Sequence, residues 1–178
     1  HIDDDLLRVM NRKVSAAQIK AVIAQARNMI PGLALRTSLI VGFPGETKKR
    51  FEKLLNFVRE TRFDHLGVFT YSREEGTAAA KIQPQISPKE KEYRRDLIMT
   101  EQANISQSIN RSLVGTIQEV MIEKKSDHPD FHFIGRCRRQ APDIDGITYL
   151  KHSNAKIGSI VKCKIISADD YDLFGEII

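Results

Sequence analysis

The chain has 178 residues, of which 41% are hydrophobic and 29% charged, and its formal net charge is +5 at pH 7. This length fits one medium domain or two small ones, and the composition is that of an ordinary globular chain. No apolar run is long enough to span a membrane and no signal peptide is present, which predicts a cytoplasmic protein without a membrane partner. Two well-separated cysteines, Cys137 and Cys163, argue against a disulfide scaffold or a zinc ribbon. The start at His1, without Met, suggests a fragment.

The positive charge is unevenly distributed along the chain. From Leu113 onward there are nine Lys and Arg against ten Asp and Glu, a net charge of −1, so the basic excess lies in the first two thirds. Phosphate neutralisation dominates affinity for nucleic acids, and no aromatic platform is evident in this part of the sequence, so a protein partner fits it better than RNA. Clustering of Arg136, Arg138 and Arg139 on one face would weaken that conclusion.

Helix signals dominate the first thirty residues. Acidic residues in the first turn indicate a short helix over Asp3–Met10, and Ser15 with Gln18 forms a capping box that begins a second helix. The second helix carries an apolar stripe at helical spacing, which predicts that it packs on a sheet: Ile19, Val22, Ile23 and Ala26.

A strand and a glycine turn follow, in the segment LALRTSLIVGFPGET. Leu35–Val41 is almost entirely apolar or β-branched, which predicts a strand covered on both faces. Alternation places Arg36, Ser38 and Ile40 on one face of this strand. A buried arginine needs a partner, which is either a neighbouring carboxylate or a polar cofactor in a cavity, and both interpretations stay open.

The turn after the strand begins at Gly42, and its glycines allow the backbone to approach a ligand closely. Parallel α/β folds place their sites at this end of a strand. The turn lacks the Lys-Ser/Thr of a P-loop, so nucleotide hydrolysis is not indicated.

A second strand and two helices complete this half. Thr47 caps a helix with the stripe Phe51, Leu54, Leu55 and Val58, and the strand His65–Ser72 follows, which predicts a right-handed βαβ crossover. Tyr71 in that strand either borders the same cavity or simply packs. Ser87 and Pro88 begin a long helix whose basic N-terminal turns favour a solvated face, although an anionic neighbour would also suit them: Lys89, Lys91, Arg94 and Arg95.

The last third changes to short alternating segments separated by turn signals. Five strands of this kind predict a small closed β-barrel of OB type: Thr116–Glu123, Phe131–Arg138, Gly146–Leu150, Ile160–Ile166 and Leu173–Ile178. His128 and His132 have a spacing that could bind a metal on a helix, but His128 lies in the turn Asp127–Asp130, which disfavours a metal site. Cys163 is in phase with its strand's inward face, whereas the arginines beside Cys137 would lower the pKa of its thiol.

The sequence resembles the radical-SAM methylthiotransferase family. The resemblance covers the chain in order, through LRTSLIVGFPGET, LGVFTYSREEGTAAA, QAPDIDGITYL and the closing YDLFGEII. It is strongest to the branch that methylthiolates an aspartate of a small-subunit ribosomal protein. The MiaB-like branch, which modifies tRNA adenosine, usually has a proline where this chain has Glu75.

The resemblance implies an α/β fold made of the second half of a partial (β/α) radical-SAM barrel and a five-stranded OB-like barrel, the TRAM domain. The implied domains are residues 1–86, a linking helix over 87–112, and the TRAM barrel over 113–178. The resemblance also implies that S-adenosylmethionine is bound near the central strand and turn. Its candidate contacts are Arg36, Ser38, Ile40 and Gly42.

The chain departs from the family in its cysteines. The CxxxCxxC motif for one [4Fe–4S] cluster is absent, and so is the N-terminal domain that holds a second cluster. The resemblance implies radical generation from S-adenosylmethionine at the first cluster, sulfur insertion at the second, and a methyl group from another S-adenosylmethionine. Iron–sulfur clusters need thiolate ligands, so we expect the chain alone to be inactive, with its residues orienting cofactor and substrate.

Three functions remain open after this resemblance. The first is part of a methylthiotransferase that modifies a ribosomal protein, which would be recognised through the TRAM domain. The second is the same chemistry on tRNA, a partner that the charge distribution makes less favoured. The third is a non-enzymatic OB-like nucleic-acid-binding protein, against which the ligand-approaching turn at Gly42 argues.

Overall fold

The computed structural model describes residues 1–151 and 154–178. The chain divides into two compact units, His1–Gln102 and Ala103–Ile178, and the division falls within the long helix predicted from the sequence. Among the described residues, no helix has the length and apolar character needed to cross a bilayer.

The first unit is built from helices and one parallel strand pair. Its elements are α1 (Asp4–Val9), α2 (Ala16–Met29), β1 (Arg36–Val41), α3 (Lys48–Thr61), β2 (His65–Thr70), a 3-10 turn (Ala79–Lys81) and the first part of α4 (Pro88–Ser112). β1 and β2 pair in parallel from Arg36 opposite His65 to Val41 opposite Thr70, which confirms the predicted βαβ unit.

Side-chain caps begin the helices where the sequence predicts them. The Asp3 carboxylate accepts a hydrogen bond from the Leu6 amide, and Ser15 forms the complete capping box with Gln18. Thr47 Oγ1 accepts from the Arg50 amide at 3.3 Å. Each cap satisfies a backbone donor that has no partner inside the helix, so these residues fix where the helices begin.

The core of the first unit lies on one face of the strand pair. Leu39 and Val41 of β1 are buried there, and the α3 stripe contributes Phe51, Leu54 and Val58. Leu54 and Val58 are fully buried, whereas Leu55 is half-buried, so three of the four residues of the predicted stripe lie in the core. Burying one such side chain contributes about 1.5–3 kcal/mol.

Two predictions about covered surfaces are wrong. β1 is not covered on both faces, because Arg36, Ser38 and Ile40 are exposed while Leu39 and Val41 are buried. The α2 stripe is not buried either: α2 has no buried residue, and Val22 is 65% exposed. Among the residues described, this sheet has only two strands.

The second unit is a closed five-stranded barrel. Its strands are β3 (Ile117–Lys125), β4 (Phe133–Cys137), β5 (Thr148–Lys151), β6 (Ile160–Ala168) and β7 (Leu173–Ile177), in the order β3-β4-β5-β7-β6. All neighbouring strands are antiparallel except β5 and β7, which are parallel. The five predicted strands and the closed OB-like barrel are therefore confirmed.

The barrel interior is filled by alternate side chains of all five strands. Its buried cluster is Val120, Ile122, Phe133, Cys137, Leu150, Cys163, Ile165 and Leu173. Inside the same unit, Gln107 Nε2 donates to Asp170 Oδ1 at 2.6 Å, which ties the end of α4 to the β6–β7 turn. The placement of Cys163 in the core is confirmed.

Candidate cofactor site

The exposed face of the strand pair brings three of the four candidate residues together. Arg36, Ser38 and Ile40 lie on it, one above the other along β1. The register places His65, Gly67 and Phe69 of β2 beside them. Ile40 is 41% exposed and Phe69 60% exposed, so a guanidinium, a hydroxyl and an apolar pair share this face.

An open groove of about 580 Å³ runs beside β1, and its lining includes residues of α1, α2, β1 and α3. Arg36, Ser38 and Ile40 all contribute to its wall. A volume of this size lies in the range of small-molecule pockets, and its lining combines apolar side chains with a few polar groups. The groove and the exposed face therefore form one candidate surface for an adenosyl cofactor.

Gly42, the fourth candidate, lies outside this groove. It is buried, with φ +74°, and a Cβ at this position would collide with the aliphatic part of Lys91. Its amide donates to Glu46 Oε1 at 2.9 Å. The conformation and the close approach require glycine, but the neighbour that approaches is a side chain of α4.

A buried ion network holds the turn after β1. Glu46 is 2% exposed, and its Oε1 lies 2.7 Å from Arg94 Nη1, which also donates to the Glu46 carbonyl at 2.6 Å. Arg94 Nε donates to Glu90 Oε1 at 2.8 Å, and His1 Nε2 lies 3.3 Å from Glu46 Oε2. The turn that follows β1 is thus fixed by charge-assisted hydrogen bonds to α4.

Of the two interpretations of the basic turns of α4, Arg94 fits the anionic neighbour, whereas Lys89 is exposed and fits the solvated face. Burial by itself lowers the pKa of this guanidinium, but hydrogen bonds from it to Glu46 and Glu90 and the charges of those carboxylates raise the pKa overall. Arg94 is only 6% exposed, so it is a structural cation with an anionic neighbour.

Tyr71 packs instead of lining the groove. Its ring makes an edge contact with Phe43 at 5.1 Å between centroids, and Lys91 Nζ lies 4.9 Å from the centre of the Tyr71 ring. Lys91 Nζ also donates to the Tyr71 carbonyl at 2.8 Å. Of the two interpretations of Tyr71, packing is the one that the structure supports.

The cysteines do not fit an iron–sulfur cluster. Both are buried in the barrel, and desolvation raises the pKa of the Cys163 thiol to about 12. Burial also raises the pKa of Cys137 overall. Nearby arginines lower that pKa, as predicted, but their effect is smaller than that of burial. No group of His, Cys, Asp and Glu suited to a metal occurs in the described part of the chain.

Two sequence-family models match the chain. Residues 1–58 match the Radical SAM superfamily, and residues 114–178 match the TRAM domain. The fold and these two matches thus define a radical-SAM barrel segment followed by a TRAM barrel.

Curated relatives match the whole chain. Ribosomal protein uS12 methylthiotransferases named RimO are 58% identical in Syntrophus aciditrophicus, 53% in Geotalea uraniireducens and 49% in Geobacter sulfurreducens. Each alignment covers 100% of this chain but 40% of the relative, whose C-terminal part it matches. The chain is thus similar over its whole length to the C-terminal part of these methylthiotransferases and spans about 40% of their length. Radical-SAM proteins in general use S-adenosylmethionine and iron–sulfur clusters.

Sequence reasoning missed the network around Glu46. Its members come from the turn and from α4, separated by more than forty residues, and no local pattern links them. The sequence feature that could have indicated this network was the basic run at the start of α4, since an anionic neighbour was one of its two interpretations. The sequence identified Phe69 only as a strand residue, and its 60% exposure was seen only in the structure.

Proposed function

We propose that this chain is the cofactor-orienting and partner-binding part of an enzyme that methylthiolates the β-carbon of an aspartate in ribosomal protein uS12. The relatives aligned over the whole chain are named ribosomal protein uS12 methylthiotransferases, and the aspartate β-carbon is what the family resemblance implies. The single observation that supports it in the structure is the exposed polar and apolar face of β1, which a globular protein would otherwise bury. A ribosomal substrate also supports the cytoplasm as the location.

The proposed cofactor contacts lie on that face. Arg36 and Ser38 offer a cation and a hydroxyl for the polar parts of S-adenosylmethionine, and Ile40 with Phe69 offers apolar surface for its adenine ring. When bound, S-adenosylmethionine supplies the radical-forming group and the methyl group. The residues of this chain bind and orient it, and Gly42 shapes the turn without touching it.

Each domain has its own role in this proposal. We propose residues 1–86 as barrel, 87–112 as linking helix and 113–178 as the TRAM domain that meets the ribosomal protein. Cys137 and Cys163 are buried in the barrel core, so the thiolate ligands of two [4Fe–4S] clusters would come from other parts of the longer enzyme. The chain alone is therefore expected to be inactive.

Mass spectrometry of the product tests this proposal. The full-length gene product would be reconstituted with iron and sulfide and incubated with uS12-containing small subunits and S-adenosylmethionine. A methylthio mass on an aspartate of uS12 supports the proposal. The same mass on tRNA adenosine, with uS12 unmodified, would replace it by the tRNA-modifying alternative.

A further inference from the structure

A second pocket, of about 460 Å³, lies in the segment that follows β2. It is lined by one short stretch of the chain: Arg73, Glu75, Gly76, Thr77, Ala80, Lys81 and Gln83. None of these residues lines the groove beside β1, so the two cavities are separate. Ligand pockets in proteins typically have volumes of about 300–1,000 Å³, and this one falls in that range. We call it the loop pocket.

Hydrogen bonds within the segment fix the wall of the loop pocket. Thr77 Oγ1 donates to the Glu74 carbonyl at 2.8 Å and accepts from the Ala80 amide at 3.2 Å. Further along, Gln85 Nε2 donates to the Ile82 carbonyl at 2.8 Å. These bonds hold the segment in one shape before any ligand arrives, which lowers the entropy that binding would cost.

The charges on the wall favour an anionic ligand. Arg73 and Lys81 are exposed cations, and Glu75 is the one carboxylate in the lining that the structure describes, so this lining has a net charge of +1. Among the residues described, the side chains of these three form no ion pair. The neighbouring Glu74 is not part of the lining, and its Oε1 accepts from Ser72 Oγ at 3.0 Å. Two cationic donors are therefore available to a ligand.

The loop pocket follows the edge of the sheet at which parallel α/β folds bind their ligands. Val41, the last residue of β1, lies opposite Thr70, the last residue of β2, and the Tyr71 amide donates to the Val41 carbonyl at 2.8 Å. Arg73 comes three residues after the end of β2. The pocket segment thus leaves the sheet at the same edge as the turn after β1, the strand that carries the proposed cofactor face.

The backbone at Gly76 is open to close approach. This residue has φ +81°, and no heavy atom lies within 4 Å of the place that a Cβ would occupy. The main chain of a peptide can therefore pass beside the wall without meeting a side chain at this point. The loop pocket combines cationic donors with room for an adjoining polypeptide.

We propose that the loop pocket binds the side-chain carboxylate of the substrate aspartate, with Arg73 and Lys81 as its cationic partners. This inference rests on the proposed function, in which an aspartate of uS12 is modified at its β-carbon. That carbon is bonded directly to the carboxyl carbon, so holding the carboxylate also positions the carbon that reacts. A guanidinium can hold both carboxylate oxygens at once, and Lys81 adds a second positive charge. The two residues thereby select aspartate over its uncharged isostere, asparagine.

Fluorescence anisotropy with the reconstituted full-length enzyme tests this selection. The probes are a labelled uS12 peptide centred on the acceptor aspartate and the same peptide with asparagine at that position. Hydrogen bonds to charged groups are stronger than those to neutral ones. We therefore expect the unaltered enzyme to bind the aspartate peptide about tenfold more tightly than the asparagine peptide.

Three variants assign the preference to the loop pocket. The double variant Arg73→Gln with Lys81→Gln should bind the two peptides with equal affinity. Arg73→Lys keeps the charge but loses the planar fork, so it should retain part of the preference. Lys13→Gln removes an exposed lysine from another part of the first unit and should retain the whole preference. Unchanged circular dichroism would show that the variants are folded.

Two results with the peptides would overturn the inference: a tenfold preference that survives in the double variant, or no preference in the unaltered enzyme. Weaker binding of S-adenosylmethionine by the double variant in equilibrium dialysis would also overturn it, because the cations would then serve the carboxylate of the cofactor. The proposed function fails separately, if the unaltered enzyme leaves uS12 unmodified in the mass-spectrometric assay, since the peptide comparison requires no turnover.

Discussion

Removing the carboxylate of Glu46 is expected to destabilise the first unit strongly. In Glu46→Ala, the buried Arg94 loses its 2.7 Å ion pair, and the Gly42 amide loses its 2.9 Å acceptor. Breaking a buried ion pair by removing one partner costs 3–5 kcal/mol in general. Since Arg94 keeps its bond to Glu90, we expect a loss of about 3 kcal/mol in the free energy of unfolding.

Glu90→Ala is the matched control, because it removes the other carboxylate of the same arginine. The Glu90 side chain is 44% exposed, so its pair with Arg94 is screened by solvent. We expect a loss of about 0.5–1 kcal/mol from this change.

Urea denaturation followed by far-ultraviolet circular dichroism measures both variants, and hydrogen exchange measures the protection of the Gly42 amide. Glu46→Ala should unfold at lower urea and exchange the Gly42 amide faster, whereas Glu90→Ala should do neither to a comparable extent. Losses of equal size in the two variants would refute the reasoning, since the buried carboxylate would then contribute no more than the exposed one.

Three other outcomes are expected. Gly42→Ala should destabilise the chain by about 2 kcal/mol or more, because the strain of a left-handed backbone is combined with a collision against Lys91. Gly76→Ala, at φ +81° with open space around it, should cost only about 1 kcal/mol. Thermal melts of the two variants compare these losses. The Cys163 thiol, with its pKa raised to about 12, should resist iodoacetamide at pH 8 until urea is added. Its contribution to stability should be complete below about pH 9 and be lost as pH rises toward 12. Labelling of Cys163 in the native chain at pH 8 would contradict this. Leu150→Ala should lower the free energy of unfolding of the barrel by about 2–5 kcal/mol, and a loss below 1 kcal/mol would show that the site collapses around the smaller residue.

Local signals in the sequence were sufficient to predict the helices and strands and to predict which side chains share one face of β1. Side chains alternate on any strand, so Arg36, Ser38 and Ile40 had to lie together whatever the surroundings. Caps such as Thr47 act within one helical turn, and the sequence predicts them directly. The barrel followed from alternation and turn residues, since every strand contributes the same two-residue period.

What the sequence did not give depends on distant neighbours. Whether the face of β1 is covered depends on parts of the protein distant in sequence, so periodicity predicted which side chains share it but not that it is open. The pKa of Cys137 depends on desolvation in the barrel, which outweighs the arginines beside it in sequence. The rings of Phe131, Tyr149 and Phe174 come from a loop and from two strands that are neighbours in the barrel but not in sequence, and only the closed barrel brings them together.

The central claim is that the open face of β1 receives S-adenosylmethionine, and equilibrium dialysis against the labelled cofactor tests it directly. The full-length enzyme and two variants of it would be reconstituted. One is the double variant Arg36→Ala with Ile40→Ala, and the control is Ile160→Ala, which truncates a 68% exposed isoleucine of the TRAM barrel. We predict that the double variant binds the cofactor about tenfold more weakly or worse, while Ile160→Ala binds as the unaltered enzyme does. Equal affinity in all three proteins would contradict the account.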